Sequence, residues 1–195
     1  ILLVNLAKGR LGDINANLLG LVLVGKILMA ALSRVDSFGL PLPPFYLYVD
    51  EFQNITTDSI ATILSEARKY KLSLIIAHQF IAQLEEKIRD AVFGNVGSIC
   101  AFRAGADDAE YLKKQIEPVF SEKDIINLDN FNAYVKLLVD GRPGRPFNIE
   151  TSPLPKLNRA QVPEVKENSY QVFGRDRAEV EQKILERYEW QNHGI

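Results

Sequence analysis

Three apolar runs in this chain end on residues able to do chemistry. Phe45-Tyr-Leu-Tyr-Val49 leads into Asp50-Glu51, Leu72-Ser-Leu-Ile-Ile-Ala77 into His78-Gln79, and Ser98-Ile-Cys-Ala-Phe102 into Arg103. Adjacent carboxylates, an amide and a guanidinium are the groups that nucleotide hydrolysis requires. One carboxylate holds magnesium, a second polarises the attacking water, the amide reads the γ-phosphate, and the arginine neutralises developing charge. Unpaired buried carboxylates are too costly to leave alone, so Asp50 and Glu51 are expected to meet a metal, a basic partner or water. The plainer alternative is an Asp50 that caps the next helix beside an exposed Glu51. His78 is read first as a packing or hydrogen-bonding histidine, with a metal or acid/base role as the alternative. Arg68, in Glu66-Ala-Arg-Lys-Tyr70, falls at the end of the helix expected after the carboxylates, where it is placed to face a neighbouring subunit as an arginine finger in trans.

For these groups to converge, the three runs must be parallel strands ending at one edge, where open α/β sheets place their ligands. The aromatic and branched run before Asp50 suits a strand buried on both faces of such a sheet. Pro41, Pro43 and Pro44 end the preceding element and force an extended approach to it. Ile1–Leu6 reads as another buried strand, and Ala7–Gly12 as a loop. Asp13 or Asn15 is expected to cap a helix to about Arg34, apolar nearly all round and therefore deeply packed. Thr56 or Thr57 would cap a helix over 58–70 with Ile60, Ile63, Leu64 and Ala67 on one face. Further helices are expected over 81–93, over 106–116 with Asp107 and Asp108 in the first turn, and from Ser121 to about Leu128.

Residues 133–139 read as a strand, Asp140–Arg145 as a turn, and 146–150 as the returning hairpin partner. The Pro153-Leu-Pro155 stretch marks a boundary. Residues 159–170 read as extended and poorly packed, and 175–188 as a charged amphipathic helix with Val180, Ile184, Leu185 and Tyr188 as its stripe.

One motif is a decoy. Gly20-Leu-Val-Leu-Val-Gly25-Lys26 has P-loop spacing, but that loop must be Gly-rich, open a helix after a strand, and carry Ser or Thr after the Lys. Here the intervening residues are aliphatic, the run lies inside a helical pattern, and Ile27 replaces the hydroxyl.

The 195 residues carry 47% hydrophobic and 25% charged side chains with a net charge of −2, which excludes a broadly basic nucleic-acid binder and confines any such contact to particular loops. Lys8 with Arg10, and Arg142 with Arg145, are the compact basic sites; the hairpin pair reads first as a solvated turn. The single cysteine, Cys100, fits a reducing compartment and an inert core position. The apolar segment Leu18–Leu32, broken by Lys26, is shorter than the roughly 18 uncharged residues of a membrane span. No basic leader precedes Ile1, and the chain starts mid-element without Met, as a fragment of something longer would.

These residues carry a resemblance. Pro-Pro-Phe-Tyr-Leu-Tyr-Val-Asp50-Glu51-Phe-Gln-Asn resembles the Walker B segment of conjugative coupling proteins, the DNA-transfer ATPases of type IV secretion. Glu-Ala-Arg68-Lys-Tyr, the strand ending His78-Gln79, and Asn95 to Phe102-Arg103 follow in the same order. The likeness covers roughly residues 1–150 and belongs to the FtsK/HerA superfamily of RecA-like hexameric motors. It implies an α/β fold, the C-terminal portion of a RecA-like P-loop ATPase core, with a mostly parallel sheet flanked by helices and an edge hairpin. Residues 1–152 would form this part, and 153–195 an extended linker and an amphipathic helix.

The resemblance implies ATP and Mg2+ as cofactors, with Asp50 as the magnesium-associated carboxylate and Glu51 as the base or water-orienting group. It implies Gln79 as the γ-phosphate sensor, Arg68 as the trans arginine, and Arg103 as a nucleotide or subunit-interface contact. No Walker A loop is present; in the family it lies upstream, so this stretch alone is expected to be inactive. Implied partners are DNA bound without sequence preference through Lys8 and Arg10, further copies forming a hexamer, and relaxase or secretion-channel proteins. The implied location is cytoplasmic, with a possible tether to the inner face of the membrane. A related repair or segregation translocase, and a non-catalytic interaction module derived from such a motor, are the alternatives.

Overall fold

The runs before Asp50 and before His78 pair as parallel strands, as anticipated. In the computed structural model Phe45–Val49 (β1) lies parallel to Leu72–Ile76 (β2), in register from Phe45 opposite Leu72 to Val49 opposite Ile76. The ladder continues past the strand ends, with Ala77 N–H donating to Val49 C=O at 2.9 Å and Phe52 N–H to Ala77 C=O at 3.0 Å. The structure describes residues 1–37, 40–56, 60, 64–156 and 158–192. The chain divides into two compact units, Ile1–Thr151 and Ser152–Ile195.

In the first unit, Lys8–Leu11 (α1) and Asp13–Leu32 (α2) are separated by Gly12, whose φ of 77° is open to glycine without strain. No side chain caps α2; Asn15 instead donates from Nδ2 to Leu11 C=O at 2.9 Å. The helix packs Val24, Ile27, Leu28 and Ala31 against a core built on Val49, Phe52, Ile60, Leu72, Leu84, Ile88 and Val92. A 3-10 turn, Ser33–Ser37, ends it. There Arg34 donates from Nη1 to the carbonyls of Pro43 and Tyr70, at 3.1 and 2.8 Å. This tie fixes the start of β1 against the start of β2.

Several expectations fail here for one physical reason: the apolar surface exceeds the partners available to cover it. Ile1–Leu6 forms no strand, because no described strand offers it a ladder, and Ile1 to Val4 are exposed. Only one stripe of α2 is packed; Ile14, Leu18, Leu19, Val22 and Met29 are exposed. β1 is buried on one face only, with Leu47 and Val49 inward and Tyr46 and Tyr48 outward. With its flanks, Asp13–Val35 is long and apolar enough to cross a membrane by length and composition, further than the Leu18–Leu32 stretch suggested. Core helices satisfy the same test, and one face of this helix is core.

Of the helix expected over 58–70, residues 60 and 64–66 are described as helical and Ala67–Tyr70 as a 3-10 turn. Thr57, Asp58 and Ile63 lie outside the described residues. A 3-10 turn, Ile81–Gln83, and Glu86–Asn95 (α3) replace one continuous helix over 81–93.

Beyond α3 the pairing changes sense. Ile99–Ala101 (β3) does not join β1 and β2. It pairs antiparallel with Asn132–Lys136 (β4), which pairs antiparallel with Phe147–Glu150 (β7). A small ribbon, Leu138–Val139 (β5) with Arg142–Pro143 (β6), closes the tip. Ala106–Ile116 (α4) and Glu122–Ile126 (α5) pack over this sheet through Ala109, Ile116, Ile125, Leu128 and Tyr134. Tyr134 stacks on Phe120 with ring centroids 3.9 Å apart. Cys100 points outward and is exposed, not core; partial desolvation still raises its thiol pKa.

In the second unit, residues 161–173 are helical, where an extended stretch was expected. Gln161–Phe173 (α6) accommodates Pro163 because a first-turn proline removes an N–H that would be unpaired anyway. Arg177–Asn192 (α7) begins where Asp176 Oδ1 accepts the N–H groups of Ala178 and Glu179. The apolar side chains of both helices, Val165 and Phe173 or Ile184 and Leu185, are exposed.

Candidate functional site

The ends of β1 and β2 bring Glu51 and Gln79 together. Gln79 donates from Nε2 to Glu51 Oε1 at 2.5 Å, and Gln53 donates from Nε2 to Glu51 Oε2 at 2.6 Å. Both carboxylate oxygens are therefore held by amides. Glu51 adopts left-handed backbone angles, φ 50° and ψ 47°, which cost a non-glycine residue on the order of 1 kcal/mol. The part-buried bond from Gln53 and the exposed one from Gln79 both favour the charged Glu51 in this conformation and help to offset that cost. The bend also turns the chain sharply from the strand into the 3-10 turn Phe52–Ile55. Phe52, 1% exposed, pins that turn into the core.

Asp50 differs from the expectation of a buried pair. It is exposed, and its Oδ1 accepts the N–H of Glu51 at 3.0 Å, while Glu51 is half-buried. An exposed carboxylate beside a strand end suits magnesium, which keeps several waters and is held by one or two carboxylates plus substrate phosphates. Among the described residues no group of three or more His, Cys, Asp or Glu is placed to hold a metal alone. The residues present thus fit an ion shared with a phosphate ligand. They supply no phosphate cradle, for Gly20–Lys26 lies wholly within α2, as its aliphatic filling indicated. Gly20 is needed for packing: a Cβ there would lie 2.6 Å from Ile55 Cγ2.

The remaining candidates make no hydrogen bond to Glu51 or Gln79 among the described residues. Arg103 donates to Asn130 Oδ1 at 2.9 Å; because β3 runs in the antiparallel sheet, the convergence argument does not reach it. Arg68 is exposed on the 3-10 turn Ala67–Tyr70. Lys8 is exposed and lies beside the site's own turn, donating to Asn54 Oδ1 at 2.9 Å and lying 3.6 Å from Asp13. Asn54 in turn donates to Glu51 C=O from its N–H and its Nδ2, at 3.0 and 3.2 Å. Arg10, Arg142 and Arg145 are exposed. His78 Nδ1 and Gln53 Oε1 are buried without a hydrogen-bond partner among the described residues.

Sequence reasoning passed over Gln53 and Asn54. Their signal was position alone: two and three residues after a carboxylate, on a turn too short to carry them away. The lining beneath is apolar, a cavity of about 10 Å³ among Val24, Leu28, Leu47, Val49, Phe52, Ile55, Ile60, Leu72 and Leu74, barely the space of one water.

Residues 44–116 match the family described as the TraM recognition site of TraD and TraG. The matched stretch starts just before β1 and ends with α4, so it contains Asp50, Glu51, Gln79 and Arg103. It supports a conjugative coupling-protein region. A search of curated proteins returned no match.

Proposed function

We propose that this chain is part of an ATP-driven, DNA-translocating coupling protein of conjugation, an α/β RecA-like motor whose acid and sensor groups lie at the ends of β1 and β2. The observation that carries the reading is the contact of Glu51 with Gln79 across parallel strands. A carboxylate that orients water and an amide that senses the γ-phosphate need to converge, and the Glu51–Gln79 contact supports that reading. Asp50, exposed one residue earlier, holds Mg2+ with the nucleotide. Glu51 orients the attacking water, and Gln79 reads the γ-phosphate of ATP. Arg68 completes a neighbouring subunit's site in a hexamer. Lys8 and Arg10 contact DNA, and the protein works on the cytoplasmic side. Arg103 has the weakest support, since its hydrogen bond goes to Asn130.

The description of the matched family favours a second reading, in which the same surface docks a TraM-like partner and hydrolysis is no part of its work. One experiment separates them. In the full-length protein, Glu51→Gln is expected to reduce magnesium-dependent ATP hydrolysis by about a hundredfold or more while a fluorescent ATP analogue still binds. Unchanged turnover would leave only the docking reading. The isolated chain, without a phosphate cradle, is expected to bind that analogue weakly.

A further inference from the structure

We propose that Gln53 is a positioning residue for Glu51, holding Oε2 so that Oε1 is the working oxygen; this rests on the hydrolytic reading above. Two amides grip one carboxylate, but they are anchored differently. Gln53 belongs to the same 3-10 turn, Phe52–Ile55, that follows Glu51. That turn is fixed by buried Phe52, by Phe52 N–H on Ala77 C=O, and by Asn54 on Glu51 C=O. Thr56 Oγ1 adds a bond to Gln53 C=O at 3.3 Å. Gln79 comes from the neighbouring strand, three residues beyond the end of β2, and is exposed.

The Gln53 side chain makes no competing bond that would set its orientation. Its Oε1 is buried and unpartnered among the described residues, while Nε2 is committed to Glu51 at 2.6 Å. A buried amide whose remaining acceptor is unsatisfied carries a desolvation cost. Its hydrogen bond to Glu51 is the evident return on that cost. The two bonds therefore have separable roles. Gln79 can swing to a γ-phosphate and release Oε1 to water, while Gln53 keeps the carboxylate plane from rotating away. A loosely held base would lose the alignment on which turnover depends.

The test uses the full-length protein with DNA and Mg2+-ATP. Gln53→Met keeps length and removes the donor; Gln53→Glu keeps shape and sets a carboxylate against Glu51. Both are expected to lower kcat about tenfold, the effect of losing one charge-assisted hydrogen bond, with KM for ATP changed less than about twofold. A cycle with Glu51→Asp gives the readout that a packing role would not move. That shorter carboxylate is withdrawn from Gln53, so adding Gln53→Met to it should cost less than about twofold. Additive losses, or wild-type kcat in both Gln53 variants, would overturn the inference while sparing the hydrolytic reading. Wild-type kcat in Glu51→Gln would overturn both.

Discussion

The parallel pair β1–β2 and the antiparallel sheet β3–β4–β7 lie in the same unit and differ in the polar groups they leave unpartnered. Over the antiparallel sheet one face is tightly packed, although Phe131, at φ 64°, and Val139 are exposed at its margins. Ala109, Ile116, Ile125 and Ala133 are fully buried, and Phe120 stacks on Tyr134. Ser121 and Asp124 cap α5 reciprocally. The ends of β1 and β2 differ. Glu51 is held in a left-handed conformation, Gln53 and His78 keep unpartnered buried atoms, and Tyr46, Tyr48 and one flank of α2 are exposed. Both regions rest on buried apolar clusters, while the unpartnered buried polar atoms among the described residues lie at the ends of β1 and β2. That is the pattern expected where a site needs ligands or partners to complete it.

The largest effect should come from breaking the packed face of the antiparallel sheet. Ile116→Ala and Ile125→Ala each remove a side chain with 0% exposure and should cost about 2–5 kcal/mol in urea unfolding. The comparison says that Tyr48→Ala, at 73% exposure on β1, costs far less. Equal losses would show that burial does not set the cost at these positions.

A smaller effect is expected at a buried bond between them. Asp108, 6% exposed on α4, accepts the N–H of Ile81 at 3.0 Å, two residues after Gln79. The antiparallel region thus steadies the loop that carries the sensor amide. Asp108→Ala strands a buried N–H and should cost about 1–3 kcal/mol. Hydrogen exchange at Ile81 should quicken while exchange in β4 stays slow. If exchange in β4 quickens as much, Asp108 serves the sheet and not the loop.

The same division governs what could be read in advance. Local chemistry was legible: the β1 and β2 runs, the disqualified P-loop spacing, the acidic first turn of α4, and Ser121 at the start of α5 each follow from residues within a turn of one another. Pairing choice was not. Nothing within Ser98–Phe102 says that its partner is β4, because Cys100 opposite Val135 and Ala101 opposite Tyr134 are contacts across more than thirty residues of chain. That single pairing takes away the convergence argument for Arg103. The Glu51 bend was hidden for a related reason: a non-glycine residue enters left-handed angles only when its surroundings over-determine them. Here those surroundings include Gln79 from another strand. The packing of α2 was overread because apolar composition tells what a helix can bury, not what is there to bury it.

The smallest expected effect lies in the α5 cap and carries a sign. The carboxyl of Asp124 is held below its ordinary pKa, first by the Ser121 backbone N–H and then by the Ser121 hydroxyl, both at 2.7 Å. A lowered folded-state value means that the bond favours the fold while Asp124 is ionised. Its contribution is present above the ordinary carboxylate range and is lost as pH falls through the folded-state value. Asp124→Asn should therefore flatten the acid side of the Tm–pH curve, and Ser121→Ala should flatten it less, because the backbone N–H remains. Asp124 is solvent-exposed, so both shifts should be smaller than that of Asp108→Ala. If Ser121→Ala flattened the curve as fully as Asp124→Asn, the hydroxyl and not the backbone would hold the carboxylate, and the cap would be less closed than its reciprocal geometry indicates.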